Sequence, residues 1–171
     1  MLLFADWTLL RLFPPLRAAW SRVGEPARVP VTGRNAKRVL FGAINVHTGH
    51  RVVLCRKRAG GADARAFLLE LRRHYRKAPT IWLLLDRAPA HTDSQTLRLA
   101  VELGIELVWW PELNAMDHVW KELKRLIAAN RQAASIDDLA QQSAEWVLQL
   151  RPREALRKAG ILSPTFWLRG V

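Results

Sequence analysis

Three aspartates in three separate segments are the residues whose chemistry says most about this chain. They are Asp6 in LLFADWT, Asp86 in TIWLLLDRAPAHT and Asp117 in PELNAMDHVWKELK. Carboxylates brought close together repel one another unless a cation lies between them, and hard cations such as Mg²⁺ and Mn²⁺ prefer carboxylate oxygens. If the three converge, they predict a site for two divalent ions, which activate a water or hydroxyl and stabilise the leaving oxygen in phosphodiester cleavage and transfer.

The local sequence around each aspartate indicates how it is positioned. Asp86 follows the continuous apolar run 81–85, which predicts an interior strand, and open α/β sheets bind ligands at the carboxyl ends of such strands. Asp6 is expected at the same kind of place, in a short strand over residues 2–7. Asp117 lies on the shoulder of an amphipathic helix, roughly 90° from the centre of its apolar face. That face comprises Leu113, Met116, Trp120, Leu123 and Ile127.

The remaining segments predict the rest of an α/β domain. KRVLFGAINVHTGHRVVLCRK is typical of a β-hairpin, and IELVWW of a further strand. Helices are predicted over ADARAFLLELRRHYRK with Asp63 as N-cap, from Thr92–Ser94 to Gly104, over SIDDLAQQSAEWVLQL with Ser135 as N-cap, and over PREALRKAG. This order indicates a three-layer fold with a mixed, partly parallel sheet. We predict a single domain over 1–171, with a core over 1–130 and a C-terminal helical extension over 131–171.

Composition narrows the class of protein. A chain of 171 residues suffices for one hydrophobic core, and its net charge of +12 favours a polyanionic partner, above all nucleic acid. The lone Cys55 excludes an intramolecular disulfide and indicates a reducing compartment. The apolar opening of the chain is too short and too charged for a transmembrane helix. We therefore expect a cytoplasmic, nucleoid-associated protein.

Several other residues are candidates for the site or the core. His91 is expected to position the loop after Asp86 or to contact a phosphate. The tryptophans at 82, 109, 110, 120 and 146 are predicted to be core residues. Two groups of cations are predicted to neutralise DNA phosphates, with ordinary solvated surface as the alternative. The groups are Arg56, Lys57 and Arg58 after the hairpin, and Lys121, Lys124 and Arg125 on the helix of the third acid.

Four sequence motifs, in the same order along the chain, resemble those of a known family. LLFADWTLLRLFPPLRAAWSRVG, KRVLFGAINVHTG, LLLDRAPAHT and PELNAMDHVWKELK are similar to the catalytic domain of DDE transposases, in the bacterial insertion-sequence branch related to mariner elements. The resemblance extends over about residues 1–130 and implies a ribonuclease H-like fold. It also implies Mg²⁺- or Mn²⁺-dependent DNA cleavage and strand transfer, with Asp6, Asp86 and Asp117 as the catalytic acids and metal ligands and Asn114 orienting the third.

The chain also departs from the family pattern. Trp7 stands where a polar residue is usual, and the segment before Pro111 is shorter than in the family. The helix-turn-helix domains that normally precede the catalytic core are expected to be absent, or supplied by a separate domain or reading frame, and a homodimer is left open. The alternative is an inactive fragment that still binds nucleic acid non-specifically, and a ribonuclease or resolvase on the same fold is a third reading.

Overall fold

The sheet confirms the predicted fold class. A computed structural model describes residues 1–13, 20–25, 28, 35–109, 114–129 and 133–168. Its five strands lie in the order β3-β2-β1-β4-β5. The pairs β1–β2 and β2–β3 are antiparallel, whereas β1–β4 and β4–β5 are parallel. The strands are β1 Leu2–Arg11, β2 Lys37–Asn45, β3 Arg51–Arg56, β4 Ile81–Leu85 and β5 Ile105–Trp109.

Helices cover both faces of this sheet. The first face carries α1 (Gly61–His74) and α3 (Ser94–Glu102), and the second carries α4 (Ala115–Leu123), α5 (Ile136–Gln149) and α6 (Pro152–Lys158). A four-residue helix, α2 (Pro89–Thr92), precedes α3, and one turn of π-helix over Lys124–Ala128 continues α4. Each face has its own buried apolar cluster. Since α4, α5 and α6 share one cluster, the predicted C-terminal extension is an integral part of the core.

Strand β1 is longer than predicted, and its length shapes the site. The strand expected over residues 2–7 continues to Arg11, and all of it beyond Leu2 pairs with β2. Strand β4 pairs with β1 only from Leu2 to Phe4. Residues 5–11 of β1 therefore extend past the end of β4 and form a step in the sheet. Asp6 lies within β1 rather than at its carboxyl end, so that part of the prediction was wrong.

The helix ends agree with the predictions except at α1. The N-cap of α1 is Gly60, whereas Asp63 is its third residue and accepts a hydrogen bond from the Gly60 N–H at 3.3 Å. An acid can cap the first turn from this position by reaching back, which is why the sequence signal was off by one turn. Ser135 caps α5 as predicted, and Gly104, at φ +62°, follows the end of α3.

The tryptophans only partly follow the prediction of a core role. Trp120 is 2% exposed and Trp109 and Trp146 are partly buried, but Trp82 is 50% exposed, so its predicted core position was wrong. On the face that Trp82 occupies, α4 and α5 pack mainly over β1, β2 and β3. Trp110, Pro111 and Leu113 lie outside the described residues, so the connection from β5 to Pro111 and the predicted place of Leu113 on the apolar face are not described.

In the described part of the chain, no helix has both the length and the apolar character needed to span a membrane.

Gly42 in β2 allows α4 to approach the sheet closely. A Cβ atom at this position would lie 2.5 Å from Cζ2 of Trp120 and 2.8 Å from Cε of Met116. These two buried side chains of α4 therefore occupy the space that any other residue at 42 would fill. Gly42 is also the cross-strand partner of Asp6. The contact thus sets how far the α4 helix, and Asp117 on it, lies from the first acid.

We predict that Gly42→Ala destabilises the protein by about 1–3 kcal/mol, because the added methyl group overpacks the α4–sheet contact. Alanine is otherwise preferred to glycine in a strand, so the sign of the change is diagnostic. Urea denaturation measures it. Gly60→Ala, whose Cβ would meet nothing nearer than 3.7 Å, serves as the control. Unchanged or increased stability in Gly42→Ala would contradict the close contact.

Candidate active site

Strand register places Asp6 and Asp86 at the same level of the sheet. Phe4 of β1 is opposite Leu84 of β4 in the parallel ladder. The same register extended by two residues brings Asp6 level with Asp86, although the paired ladder ends at Phe4 and Asp86 lies just after β4. Phe4 and Leu84 belong to the apolar cluster on the α4 side. Because alternate residues of a strand share a face, Asp6, which lies within β1, projects toward α4.

Asn114 fixes the start of α4 beside the same step. Its Nδ2 donates to the carbonyl oxygen of Ala5 at 2.6 Å, and its Oδ1 accepts from the Met116 N–H at 3.0 Å as the N-cap of α4. The Ala5 carbonyl lies just beyond the last β1–β4 pair, so the asparagine amide supplies a hydrogen bond where β4 no longer does. Asp117, in the first turn of α4, is thereby held on the helix whose start is fixed against β1 one residue from Asp6.

The pKa of Asp6 couples this residue electrostatically to the other two acids. Burial, with smaller contributions from the carboxylates of Asp86 and Asp117, raises the pKa of Asp6 to about 7. A hydrogen bond from the Trp7 backbone and the positive charge of Lys124 act in the opposite direction. The sequence prediction that these three aspartates come together is consistent with this coupling. Their roles as catalytic acids and metal ligands remain predictions.

His91 contacts the second acid directly. Its ring is 7% exposed, and Nδ1 lies 2.9 Å from Oδ1 of Asp86. The same carboxylate oxygen accepts a hydrogen bond from the Ala88 N–H at 3.2 Å. With Oδ1 engaged twice by the α2 segment, Oδ2 is the oxygen of Asp86 left for another partner. This contact matches the loop-positioning role expected for His91.

Asp117 is paired with a lysine on its own helix. Nζ of Lys121 lies 2.7 Å from Oδ2 of Asp117, and the Asp117 side chain is 49% exposed. Among the described residues, no three His, Cys, Asp or Glu side chains are arranged closely enough to hold one metal ion. Asp6, Asp86 and Asp117 thus influence one another electrostatically. Asp117 pairs with the ammonium group of Lys121, which is positively charged as a metal ion would be.

The predicted phosphate-binding cations divide into paired and unpaired groups. Arg56 binds Asp63 at 2.8 Å, Lys121 binds Asp117, and Arg125 binds Glu122 at 2.9 Å. Lys57, Arg58 and Lys124 make no ion pair with a carboxylate in the described ranges. The last three are therefore the cations of the predicted set that can bind a phosphate without giving up a protein partner.

Two features of the site were not identified from the sequence. The Ala5 carbonyl that anchors Asn114 left no signal, since any residue provides a carbonyl. Gly42 did leave one, because an isolated glycine inside an apolar strand often marks the close approach of another element. That signal could have located the contact between α4 and the sheet.

Comparisons with known proteins agree with this geometry. A family model described as DDE superfamily endonuclease matches residues 1–140. The insertion element IS630 uncharacterized 39 kDa protein of Shigella sonnei is 26% identical over 154 residues, which cover 87% of this chain and 45% of that protein. The chain thus spans less than half the length of this curated relative.

Solved structures share the fold. The Mos1 transposase paired-end complex with left transposon end superposes with a TM-score of 0.71 at 17% identity, over 92% of this chain and 51% of that one. The mariner Mos1 paired end complex with Mg gives a TM-score of 0.70 at 17% identity, over 92% and 51% of the two chains. This likeness confirms the ribonuclease H-like fold. Since the family model matches most of the sequence, the chain belongs to the DDE superfamily of endonucleases.

Proposed function

We propose that this protein cleaves DNA strands and transfers them in a divalent-metal-dependent reaction, as a transposase catalytic domain. The observation that carries the proposal is the register of β1 and β4, which brings Asp6 level with Asp86 beside the helix that carries Asp117. Burial and, to a smaller extent, the carboxylates of Asp86 and Asp117 raise the pKa of Asp6 to about 7. A carboxylate buried beside two others is costly without a cation. Family membership and the likeness to Mos1 complexes support the same reaction.

The donor set fits Mg²⁺ or Mn²⁺. Asp6, Asp86 and Asp117 offer only oxygen ligands, which hard cations prefer, and a Mos1 complex has been solved with Mg. Two such ions would supply activation of the attacking water or hydroxyl and stabilisation of the leaving oxygen. Asp6 and Asp86 would bind from the sheet and Asp117 from α4. Oδ1 of Asp117 would be available to an ion at once, whereas Oδ2 would bind only after Lys121 releases it.

The other residues orient these acids and the substrate. Asn114 holds the start of α4 against β1, and His91 occupies Oδ1 of Asp86, which leaves Oδ2 for an ion. Lys124, close enough to Asp6 to affect its pKa, would contact a phosphate next to the reacting one. Lys57 and Arg58 are free to bind more distant phosphates and make DNA affinity salt-dependent.

One observation favours the second candidate, an inactive fragment that only binds nucleic acid. Asp117 is paired with Lys121, and the described residues include no three His, Cys, Asp or Glu side chains arranged to hold one metal ion. An exposed pair of this type one helical turn apart stabilises by only about 0.3–0.5 kcal/mol, so a divalent cation can displace the lysine at little cost. We therefore favour the enzyme, and the cleavage assay below separates the two.

We predict that the wild-type protein nicks supercoiled plasmid DNA only when Mg²⁺ or Mn²⁺ is present, and that Asp86→Asn abolishes nicking, because the amide cannot replace an anionic ligand. Gel separation of nicked and supercoiled forms measures the reaction. Asp138→Asn is the matched control, since Asp138 is an exposed acid on α5 outside the cluster. Nicking that survives in Asp86→Asn would refute this catalytic role. DNA binding without nicking by wild type would favour the inactive fragment.

The raised pKa of Asp6 predicts a pH-dependent stability. Its pKa is 3.8 ordinarily and about 7 in the fold, so the folded state binds the proton more tightly than the unfolded state. The resulting stabilisation is complete below pH 4 and is lost as the pH rises through 7. Asp6→Asn avoids this loss, so the metal-free unfolding free energy that it gains over wild type should be larger at pH 8 than at pH 5, by at most about 3 kcal/mol.

Urea denaturation at both pH values in the presence of a chelator measures this difference, and Asp138→Asn again serves as the control. Mg²⁺ should reduce the advantage of Asp6→Asn at pH 8, because the ion stabilises the wild-type carboxylate. An Asp6→Asn advantage that is the same at pH 5 and pH 8 would show that the carboxyl is not held in its neutral form by the fold.

The contact between His91 and Asp86 predicts a graded effect on metal dependence. His91→Ala should lower metal affinity or nicking roughly 10–100-fold, as loss of a group that orients a ligand typically does. His91→Asn, whose amide N–H can still donate, should recover part of this loss. A titration of nicking against Mg²⁺ concentration separates affinity from maximal rate. If His91→Ala keeps the wild-type titration, the contact has no positioning role.

A further inference from the structure

Two cations face each other at the outer end of the β1–β2 ladder. Arg11 and Lys37 are the last cross-strand pair, and both side chains are exposed. Like charges directly opposite one another in a sheet are destabilising. Neither side chain forms an ion pair with any carboxylate in the described part of the chain. The ladder therefore ends in an arrangement that is unfavourable for the isolated protein.

Within the described ranges, two neighbouring arginines, unlike Arg11 and Lys37, form ion pairs with aspartates. Arg38, next to Lys37, binds Asp137 through Nε at 2.7 Å and through a second nitrogen at 2.9 Å. Arg56 on β3 binds Asp63 at 2.8 Å. Arg38 and Arg56 thus each have an acidic partner, whereas Arg11 and Lys37 have none in the described part of the chain. An external anion would relieve the repulsion between Arg11 and Lys37.

The pair lies on the same step as the acids. Arg11 is five positions beyond Asp6 along β1, a distance of roughly 16 Å. Half a turn of B-DNA is about 17 Å. Arg11 and Asp6 project to opposite faces of β1, but residues 5–11 have no strand paired on the β4 side. A duplex that runs along this unpaired edge, rather than over one face of the sheet, can reach a side chain on each face.

We propose that Arg11 and Lys37 form a phosphate anchor for duplex DNA, about half a helical turn from the phosphate at the three acids. The inference rests on the proposed function, because it takes the DNA to be the substrate of that site. The anchor binds backbone phosphates without reading bases. It adds affinity and fixes the direction in which the duplex leaves the acids.

Salt-dependent binding tests the anchor. The full chain is titrated, with chelator present, against a fluorescent 20-base-pair duplex of arbitrary sequence at several salt concentrations. The double variant Arg11→Gln/Lys37→Gln should lower the slope of log affinity against log salt by about 2, because two phosphate contacts are lost. Arg76→Gln/Lys77→Gln is the matched control: it removes the same two exposed residue types beyond the far end of α1 and should leave the slope unchanged.

A charge reversal separates the anchor from a structural role. Lys37→Glu places an acid opposite Arg11 and should raise Tm by roughly 1–3 °C, while DNA affinity falls at least as far as in the double glutamine variant. A residue that merely shaped the strand end would not move stability and DNA affinity in opposite directions.

The outcomes distinguish this proposal from the proposed function. If wild type binds and nicks DNA but the double glutamine variant keeps the wild-type salt slope, the anchor is refuted and the enzymatic proposal stands. An equal loss of slope in the control would also refute it, since only diffuse charge would then matter. If wild type neither binds nor nicks DNA, both proposals fail together.

Discussion

The register of β1 against β4 is the constraint on which the site depends. The parallel ladder that pairs Phe4 with Leu84 brings Asp6 and Asp86 level although they are far apart in sequence. A slip of one residue would turn one of the two carboxylates to the opposite face of the sheet. The apolar side chains on both faces prevent such a slip, so burial of the core and alignment of the acids are the same event.

The geometry brings negative charges together in a protein that is otherwise strongly basic. Burial, Asp86 and Asp117 all disfavour the charge on Asp6, and Lys124 partly offsets them. Lys121 binds Asp117 on the solvent side. In the absence of a divalent ion, lysines and protons thus balance the acids. These positive charges explain how the fold can hold Asp6, Asp86 and Asp117 near one another without a divalent ion between them.

Much of the fold was accessible from the sequence because its signals are local. The unbroken apolar run before Asp86, the cap at Ser135 and the glycine after α3 were each sufficient to place an element. The length of β1 was not, because its outer residues form a strand only through pairing with β2. Burial of Trp82 could not be judged either, since it depends on which strands the distant helices α4 and α5 cover.

In the candidate site, too, local sequence signals could be used and tertiary contacts could not. The three aspartates were chosen as candidates from their residue type and the sequence motifs around them, and their roles remain predictions. Which cations are free did not, because Arg56 and Arg125 find their acids through tertiary and helical contacts that composition does not encode. The sequence left two roles open for His91, positioning of the loop after Asp86 or contact with a phosphate, and did not specify a contact with the Asp86 side chain. Its geometry required the turn formed by α2.

A hydrogen bond from the Leu12 N–H to the Ala36 carbonyl, at 2.9 Å, closes the outer end of the β1–β2 ladder. The intervening chain therefore leaves and re-enters the sheet at one point, and a longer connection there would cost little additional closure entropy. Evolution or a protein engineer could exchange this excursion for a module that reads sequence. Such a graft would enter at the end of β1, roughly 16 Å along the strand from Asp6, without disturbing the strands that position the three acids.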